Sequence, residues 1–489
     1  MNILQRTSIL CIVIFSFMTS LFGKVSPEIF REYDIRGIVG SEFLIEDAYE
    51  LAASIATYWK EKDPNMQTVA LGADGRVHSG KIKEKVIEAL SSYGINIIDV
   101  GVCTTPVISF SLHVLPIDAA LMLTASHNPG EYNGFKIYQG KESIFGEGIR
   151  RIKQIYDTKS FMEEASTKGI IQKKDLILEY IEDLAMRFPQ LIGSSISAII
   201  DCGNGAAGSI LPRLIEKMQW SHVELLYGEI DGTFPHHVAD PSVEKYMQDL
   251  KKALQSKEGV DVGIGLDGDC DRMGPMTPSG RLIKGDQLLV LLSKPLLEKY
   301  RGGCIVFDVS SSKFLWDVIR GWGGVPALSQ TGAAAVKKKM GQMQALLGGE
   351  ISCHTIFKDR HFGFDDGIYS MMRLFERVQE SGHSLDILCE DLPLTASSPT
   401  YRIPCSRSLC EIIIQEVDEL FHKEPMIERF REDGLRLHFQ KGWAILRASN
   451  TEPVISIRLE GSTSEDLMQL KKTFHEILSR HIECSMLLD

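Results

Sequence analysis

A serine hydroxyl stands at position 126, in the segment TASHNP (residues 124–129). The apolar run before it, residues 119–123, is typical of a buried strand, and a hydroxyl at a strand end can be presented to a cleft as a nucleophile. Pro129 and Gly130 prevent that strand from continuing. Ser126 is therefore a candidate nucleophile. Residues of these types also favour ordinary turns, so the motif alone leaves both interpretations open.

Three aspartates alternate in DGDCDR (residues 267–272), directly after the apolar run 262–266. On a tight loop their carboxylates can converge on one hard cation, whereas on a straight strand they would share a face and repel. A calcium-binding EF-hand loop is excluded, because it needs glycine where Arg272 stands and glutamate where Pro278 stands. All-oxygen ligation favours Mg²⁺, and a solvated acidic turn is the remaining alternative. The predicted ligands are Asp267, Asp269 and Asp271.

Two basic residues in the N-terminal third could serve the serine motif. Arg36, in REYDIRG (residues 31–37), could hold a phosphate with its planar guanidinium. The segment YNGFK (residues 132–136) predicts a hairpin corner that would return Lys136 towards the Ser126 hydroxyl. A plain surface lysine is the simpler interpretation of Lys136 taken alone.

Two further loops carry groups suited to a polyol and to an anion. GGEISCH (residues 348–354) combines glycines with a carboxylate, a hydroxyl and an imidazole, which suit hydrogen bonding to a polyol. RASNTEP (residues 447–453) places an arginine, hydroxyls and an amide between two predicted strands. That combination favours an anion-binding nest over a plain hairpin loop.

The elements that must position these loops follow a strand–helix–strand pattern. Strands are predicted at residues 68–72 and 95–100, with a helix at 81–93 between them. Such repeats imply right-handed crossovers and a largely parallel sheet.

Two more units of this kind follow along the chain. The second begins near residue 168 with a helix to 188, and its strand 197–201 runs into the glycine-rich residues 202–208. Those glycines suit a phosphate cradle or, more commonly, close packing. The third starts near residue 277, and residues 388–402 indicate a linker before a last section of strands and helices.

Composition limits the class of protein. A chain of 489 residues with 44% apolar and 24% charged residues is expected to be a soluble globular protein of several domains. A net charge of −12 argues against nucleic-acid binding, although a local basic pocket could still hold a small anion. The ten cysteines lack metal-type spacing, which favours buried free thiols over disulfides.

The N-terminus carries an apolar block at residues 8–22 that is too short to span a membrane comfortably. It is interpreted as an over-extended reading frame starting before Met18, as a targeting segment, or as a buried helix. No stable membrane span is expected. A cytoplasmic location is predicted, with export left possible by this block.

Taken together, these motifs resemble those of the α-D-phosphohexomutases, within them the bacterial phosphomannomutase/phosphoglucomutase group. The resemblance runs from about Pro27 to the C-terminus, with five motifs in the family's order. It implies an α/β fold: three related α/β domains with mixed sheets plus a smaller α+β C-terminal domain, around a central cleft. The implied divisions are an apolar segment (1–23), a phosphoserine domain (24–167), a metal-binding domain (168–276), a sugar-binding domain (277–390) and a phosphate-binding domain (391–489).

By this resemblance the protein is expected to be a hexose-phosphate mutase. It would interconvert the 1-phosphate and 6-phosphate of mannose or glucose through a phosphoserine at Ser126 and a hexose 1,6-bisphosphate. The implied Mg²⁺ ligands are Asp267, Asp269, Asp271 and an oxygen of phosphorylated Ser126, and the other catalytic residues are Arg36, Lys136, Arg272 and His354. The implied substrate-binding residues are Glu350, Ser352, Arg447, Ser449, Asn450 and Thr451. A monomer or weak dimer is expected.

The chain departs from the family pattern in its sugar-handling loops. Cys353 stands where the family usually has glycine, and a left-handed backbone there would cost a non-glycine residue about 1 kcal/mol or more. Ala333 occupies the position of an expected histidine, and Ser310 that of an expected lysine. These changes keep two alternatives open: a phosphoglucosamine mutase, and a catalytically degenerate homologue that binds sugar phosphates.

Overall fold

The computed structural model of the protein describes residues 25–449 and 453–488. The predictions made for the segment 1–23 and for Asn450 and Thr451 lie outside the described residues. By compactness the chain divides into two units. Of the described residues, the first comprises 25–181, 203–212 and 227–239, and the second comprises 182–202, 213–226, 240–449 and 453–488.

A seven-stranded mixed sheet forms the centre of the first unit. Its strands are β1 (Ile35–Ile38), β2 (Thr68–Ala73), β3 (Asn96–Val102), β4 (Ala119–Leu123), β5 (Tyr132–Gln139), β6 (Glu142–Ser143) and β7 (Ile171–Lys173). The strand order is β1-β5-β4-β2-β3-β7, with β6 paired to β5. The strands β4, β2, β3 and β7 run parallel, as the repeats predict, whereas β5 is antiparallel to both β4 and β1.

Helices accompany this sheet, and several of them pack on its apolar strands. They are α1 (Asp47–Lys62), α2 (Ser79–Ser92), α3 (Thr105–Val114), α4 (Glu147–Thr158) and α5 (Ile177–Arg187). All five residues of β4 are buried, as is typical of a strand covered on both faces. One core joins alternate residues of β4 and β5 to α1, α2 and α4.

Two sequence-based predictions fail in this region. The predicted hairpin corner at residues 132–136 is wrong, because these residues lie inside strand β5. Gly134, which suggested a turn, is instead needed where two strands approach closely: a Cβ there would lie 2.2 Å from the Ile35 carbonyl oxygen. The helix predicted from residue 168 begins only at Ile177, because residues 171–173 pair with β3 as strand β7.

The second sheet, in the second unit, has four strands in the order β11-β10-β8-β9. They are β8 (Ala198–Asp201), β9 (Val223–Leu226), β10 (Val262–Leu266) and β11 (Met273–Met276), and the helices in this part of the chain are α6 (Leu211–Met218) and α7 (Gln248–Gln255). Every residue of β10 is buried. The acidic motif therefore begins where a fully buried strand ends.

The third sheet repeats this plan in the order β13-β12-β14-β15. Its strands are β12 (Cys304–Asp308), β13 (Val325–Ser329), β14 (Leu347–Gly349) and β15 (Thr355–Phe357). The accompanying helices are α8 (Gly285–Lys299), α9 (Lys313–Gly321), α10 (Ala333–Met343), α11 (Gly367–Ser381) and α12 (Leu385–Leu388). Asp366 caps α11 by accepting a hydrogen bond from the Tyr369 N–H.

The last sheet is entirely antiparallel in its described pairings. Its strands are β16 (Ala396–Ser397), β17 (Tyr401–Pro404), β18 (Glu428–Phe430), β19 (Leu435–Phe439), β20 (Gly442–Ala448) and β21 (Val454–Gly461), with helices α13 (Arg407–His422) and α14 (Ser464–Leu478). Both β16 and β17 pair with β21. The predicted linker at 388–402 is therefore partly wrong, because it contains strands of this sheet.

The predicted fold class is confirmed by three mixed α/β sheets followed by an antiparallel sheet with its own helices. The domain boundaries given above stay predictions. The nine cysteines of the described residues are all free and buried, which confirms the expectation of free thiols for that part of the chain. Within the same residues, no helix combines the length and the apolar character needed to cross a membrane.

Candidate active site

Ser126 occupies a tight turn directly after β4. It is buried, and its φ of 51° lies in the left-handed region, which costs a non-glycine residue about 1 kcal/mol. The Ser126 N–H donates to Thr124 Oγ1 at 2.9 Å, and Ser126 Oγ lies 3.1 Å from His127 Nδ1. Strain of this kind persists only where surrounding contacts impose it.

Arg76 supplies those contacts. Its Nη1 donates to the carbonyl oxygens of Pro129 and Tyr132, and its Nη2 to those of Ser126 and Asn128. The fifth N–H, on Nε, donates to Asp74 at 3.0 Å. A buried guanidinium thus uses all five of its donors, four of them on the backbone around Ser126.

Asp74 completes this arrangement. Its carboxylate also accepts hydrogen bonds from the hydroxyls of Ser79 and Thr124, and Thr124 in turn accepts from the Ser126 N–H. The Asp74–Arg76 ion pair is buried at both ends, so each charge depends on its partner. The turn that follows β2 therefore fixes the loop that follows β4.

Arg36 contacts the same loop from β1. Its Nη1 donates to the Ala125 carbonyl oxygen at 3.1 Å and to Asn128 Oδ1 at 2.8 Å, and its Nε donates to Asp34. Gly134 of β5 lies opposite Arg36, and Lys136 is two residues further along the same strand. Arg36 and Lys136 therefore lie on one face of the sheet.

Three residues of this site were missed by the sequence analysis: Asp74, Arg76 and His127. Asp74 and Arg76 were given no role, although a carboxylate and a guanidinium directly after a buried strand are placed where they are desolvated. His127 was quoted within the motif but was given no role. Its Nδ1 lies 3.1 Å from the Ser126 hydroxyl oxygen, within hydrogen-bond distance.

The acidic motif of the second unit folds as predicted. Asp267, Asp269 and Asp271 are all buried, and one carboxylate oxygen from each lies within 4.8 Å of the others. Cys270 turns the loop with a φ of 64°, and its N–H donates to the Asp267 carbonyl oxygen. Three desolvated carboxylates so close together are a donor set suited to a hard divalent cation.

Arg272 stands beside these acids. Its backbone N–H donates to Asp267 Oδ1 at 3.1 Å, and its Nε lies 3.9 Å from Asp267 Oδ2. Burial alone would lower the pKa of Arg272, but the charges of Asp267 and Asp271 raise it above its ordinary value. The arginine therefore stays a cation at the edge of the acidic loop.

His354 lies between two groups of charges. Its Nε2 accepts a hydrogen bond from Arg272 Nε at 3.0 Å. Nδ1 lies 3.3 Å from Asp365 Oδ2 and 3.7 Å from Asp271 Oδ1. Asp271, His354 and Asp365 also form a second group whose donor atoms could hold a metal ion. Both ring nitrogens face protein groups, and a role in proton transfer stays a prediction.

The segment predicted to bind a polyol, residues 348–354, is called the sugar loop. It adjoins the acidic loop, residues 267–272. Arg272 and His354 pair as an isolated antiparallel bridge, and the Met273 N–H donates to the Cys353 carbonyl oxygen at 3.4 Å. Cys353 has a φ of 72°, which confirms the left-handed backbone anticipated at this position. The residues predicted for metal binding and for sugar binding thus meet within the second unit.

Glu350 is the buried acid of that loop. Its Oε1 accepts a hydrogen bond from the Gly332 N–H at 2.6 Å, directly before α10 begins at Ala333. Burial raises the pKa of the Glu350 carboxyl above its ordinary value. Ser352, two residues on, is half-buried.

Ser310, which stands where the family pattern has a lysine, lies next to an arginine. The Ser310 N–H donates to Asp308 Oδ2, and Asp308 Oδ1 accepts from the Ile351 N–H in the sugar loop. Arg458 of β21 donates to the Ser310 carbonyl oxygen at 3.1 Å. A guanidinium therefore lies beside the loop in which the family pattern expects an ammonium group.

The predicted anion nest is described only in part. Arg447, at the end of β20, donates from Nη1 to Thr331 Oγ1 at 2.9 Å and to Asp433 Oδ2 at 2.8 Å. The Ser449 N–H donates to the Val454 carbonyl oxygen. Thr331 directly precedes Gly332, whose N–H donates to Glu350. Arg447 therefore contacts the residue next to the one that binds the Glu350 carboxylate.

Known proteins are similar to this chain over most of its length. Models of the phosphoglucomutase/phosphomannomutase family match residues 27–163 (alpha/beta/alpha domain I), 178–280 (domain II), 284–395 (domain III) and 403–477 (C-terminal domain). The phosphomannomutase/phosphoglucomutase of Pseudomonas aeruginosa is 36% identical over 465 residues, covering 94% of this chain and 97% of that protein. The phosphoglucomutase of Neisseria gonorrhoeae is 33% identical over 93% of this chain and 98% of that protein.

A solved structure agrees with these relatives. The crystal structure of a phosphoglucomutase/phosphomannomutase family protein from Burkholderia thailandensis superimposes with a TM-score of 0.85 at 29% identity, covering 94% of this chain and 98% of that one. Matches of this extent include the serine loop, the acidic loop and the sugar loop together. The chain belongs to the phosphoglucomutase/phosphomannomutase family.

Proposed function

We propose that the protein is a hexose-phosphate mutase, an isomerase that interconverts the 1-phosphate and 6-phosphate of mannose or glucose. The observation that carries this proposal is the Ser126 loop, in which a strained serine is held at a buried strand end by four carbonyl contacts to Arg76. Membership of the family, whose named relatives include phosphomannomutase/phosphoglucomutase, supports the same activity.

In this proposal Ser126 carries a phosphoryl group. The P–O bond to serine breaks as a bond forms to the free hydroxyl of the sugar phosphate, and the hydroxyl proton passes to a base. The resulting hexose 1,6-bisphosphate then returns its other phosphoryl group to Ser126. Arg36 and Lys136 offset negative charge on one face of the sheet, which is the main demand of a loose phosphoryl-transfer transition state.

The second unit carries the other residues to which we assign roles. We assign the acids Asp267, Asp269 and Asp271 to Mg²⁺, which supplies charge neutralisation for phosphoryl oxygens when bound. Arg272 and His354 flank those acids, and Glu350 and Ser352 would bind sugar hydroxyls. The residues proposed to hold the phosphate that is not reacting are Arg447, Ser449, Asn450 and Thr451.

Two alternative functions rest on specific positions. The sugar-handling loops depart from the family pattern at Ala333, Ser310 and Cys353. A preference for a glucosamine phosphate, or a loss of turnover, would be caused by these three substitutions. Arg458 beside Ser310 argues against complete loss, because a cation still adjoins that loop. A monomer or weak dimer stays the expected state.

A turnover panel tests the proposed function. Mannose, glucose and glucosamine 1-phosphates would be compared in the presence of Mg²⁺ and a trace of the matching 1,6-bisphosphate. Intact-protein mass would be measured in parallel, and a phosphate adduct is expected that is absent from Ser126→Ala and retained in the exposed-site control Ser41→Ala. Tight binding of all three sugars without turnover or adduct would establish the degenerate alternative instead.

A further inference from the structure

A short segment of the chain packs on the turn that holds the Ser126 loop, and the proposed chemistry gives it no role. It comprises residues 230–234 (IDGTF), between β9 and α7, and is called the strap below. The strap lies in the residues matched by the domain II model, yet it belongs to the same compact unit as the Ser126 loop.

The backbones of the strap and the loop approach too closely for side chains. A Cβ on Gly232 would lie 2.4 Å from the Gly75 carbonyl oxygen and 2.5 Å from Arg76 Cα. A Cβ on Gly130, in the Ser126 loop, would lie 2.8 Å from the Gly232 carbonyl oxygen. Glycine is therefore required on both sides, and the strap touches both the turn of Arg76 and the serine loop.

Phe234 ends the strap over the Arg76 guanidinium. The guanidinium carbon lies 4.9 Å from the centre of the Phe234 ring, within the range of a cation–π interaction. Phe234 holds this position with a φ of 49°, and its N–H donates to the Asp231 carbonyl oxygen. The ring is therefore presented to Arg76 by a turn that is closed within the strap.

The strap is anchored at its other end as well. The Asp231 carboxylate accepts hydrogen bonds from the N–H and the hydroxyl of Thr233, and the Asp231 N–H donates to the Asn204 carbonyl oxygen. Asn204 Nδ2 donates to the Glu229 carbonyl oxygen at 2.9 Å. The glycine-rich segment after β8, one interpretation of which was a phosphate cradle, thus supports the strap through Asn204.

We propose that the strap positions the nucleophile, with Phe234 and Arg76 as positioning residues that act through the backbone of the Ser126 loop. The guanidinium is planar and rigid, so a ring against it restricts the tilt of all its N–H groups at once. Four of those groups hold carbonyl oxygens on both sides of Ser126. Tilting the plane displaces the Ser126 hydroxyl, and a misplacement of about 1 Å can slow a reaction roughly a hundredfold.

The first test compares Phe234→Leu with two variants. Phe161→Leu is the matched control, since Phe161 is also half-buried with a cation, Lys159 Nζ, 5.9 Å from its ring. Phe234→Tyr keeps the ring and serves as the conservative rescue. Because the proposal rests on the proposed function, we expect Phe234→Leu to lower kcat about tenfold with little change in KM. Phe234→Tyr and Phe161→Leu should keep the wild-type kcat.

A second readout does not depend on catalysis. Hydrogen exchange followed by mass spectrometry on the peptide containing residues 124–131 is expected to be faster in Phe234→Leu than in the wild type, Phe161→Leu or Phe234→Tyr. Arg76→Lys, which offers three donors from one point instead of five from a fork, should accelerate it further. A variant that fails to fold would show faster exchange throughout the chain, so peptides of the last sheet report on that.

The outcomes separate the two proposals. Unchanged exchange at residues 124–131 in Phe234→Leu, with kcat equal to that of Phe161→Leu, would overturn the positioning role. Absence of a phosphate adduct on wild-type Ser126 would end the proposed function, while the exchange comparison would still decide whether the strap fixes the loop.

Discussion

The serine loop of the first unit and the acidic loop of the second are built alike but charged oppositely. Each follows a fully buried strand, and each turns on a left-handed residue that is not glycine, Ser126 and Cys270 respectively. The serine loop turns its carbonyl oxygens towards a buried cation of the protein, Arg76. The acidic loop instead gathers three carboxylates. The carbonyl oxygens of the first loop are thus bound by a cation of the protein itself. The carboxylates of the second loop are a donor set suited to a cation bound from solution.

Removing a carboxylate from the acidic loop is expected to have the largest effect. Asp269→Asn should lower kcat roughly a hundredfold to a thousandfold, because charge stabilisation of the transferred phosphoryl group is lost with the ion. Wild-type protein should gain about 2.7 kcal/mol of unfolding free energy at a Mg²⁺ concentration of about 100 times Kd, and Asp269→Asn should gain far less. Thermal unfolding with and without Mg²⁺ measures this.

A matched control keeps that result specific. Asp391 is an exposed aspartate of the same unit, so Asp391→Asn should keep both the activity and the Mg²⁺ response of the wild type. An equal Mg²⁺ response in Asp269→Asn and the wild type would show that the acidic loop is not the cation site.

The serine loop should respond to Arg36→Lys without any change in metal dependence. Lysine cannot span Ala125 O and Asn128 Oδ1 while also holding Asp34, so the loop loses one of its two guanidinium contacts. We expect kcat to fall about tenfold to a hundredfold. Mg²⁺ titration of activity should give the wild-type midpoint. Arg151→Lys, at an exposed ion pair with Glu61, is the control and should retain full activity.

Glu350 provides a pH test of the second unit. Since burial raises its pKa to about 7 in the folded protein, the folded state binds more protons than the unfolded state between about pH 4.5, the ordinary glutamate value, and about pH 7. The contribution of Glu350 to stability therefore falls as pH rises, by up to about 1.4 kcal/mol per pH unit. Glutamine does not titrate, so the stability of Glu350→Gln relative to wild type should rise between about pH 4.5 and 7 and change little at higher pH.

Denaturant unfolding at several pH values measures this stability difference between Glu350→Gln and wild type. Glu390→Gln removes an exposed carboxylate and should leave the difference from wild type independent of pH. A constant difference for Glu350→Gln as well would mean that its carboxyl keeps the same pKa in both states.

The smallest expected effect concerns the left-handed backbone of Cys353. Alanine there keeps the strain, whereas glycine relieves it, so Cys353→Gly should be more stable than Cys353→Ala by about 1 kcal/mol. Cys410, equally buried but inside α13, should give the reverse order by a similar amount, about 1 kcal/mol, because glycine weakens a helix interior. Chemical unfolding of the four variants measures both differences, and the same order at both cysteines would exclude backbone strain at Cys353.

Much of this site could be predicted from local sequence. An apolar run followed by a polar motif places a functional group at a strand end, which is why Ser126 and the three aspartates were found and why the convergence of the carboxylates was anticipated. The left-handed backbone at Cys353 was also anticipated. The hairpin corner at residues 132–136 was wrong, because Gly134 serves a close approach of strands rather than a turn, and the two uses of glycine look alike in sequence.

The sequence by itself determined many of the elements, the order of the motifs and the residue types that could do chemistry, since periodicity and strand ends are local properties. Only the tertiary structure decided which partners those residues meet. Arg76 is 50 residues from Ser126 along the chain, His354 is 82 from Arg272, and Phe234 is further still from Arg76. Contacts over such separations depend on how sheets and loops pack, and neither spacing nor residue type along the chain specifies that packing.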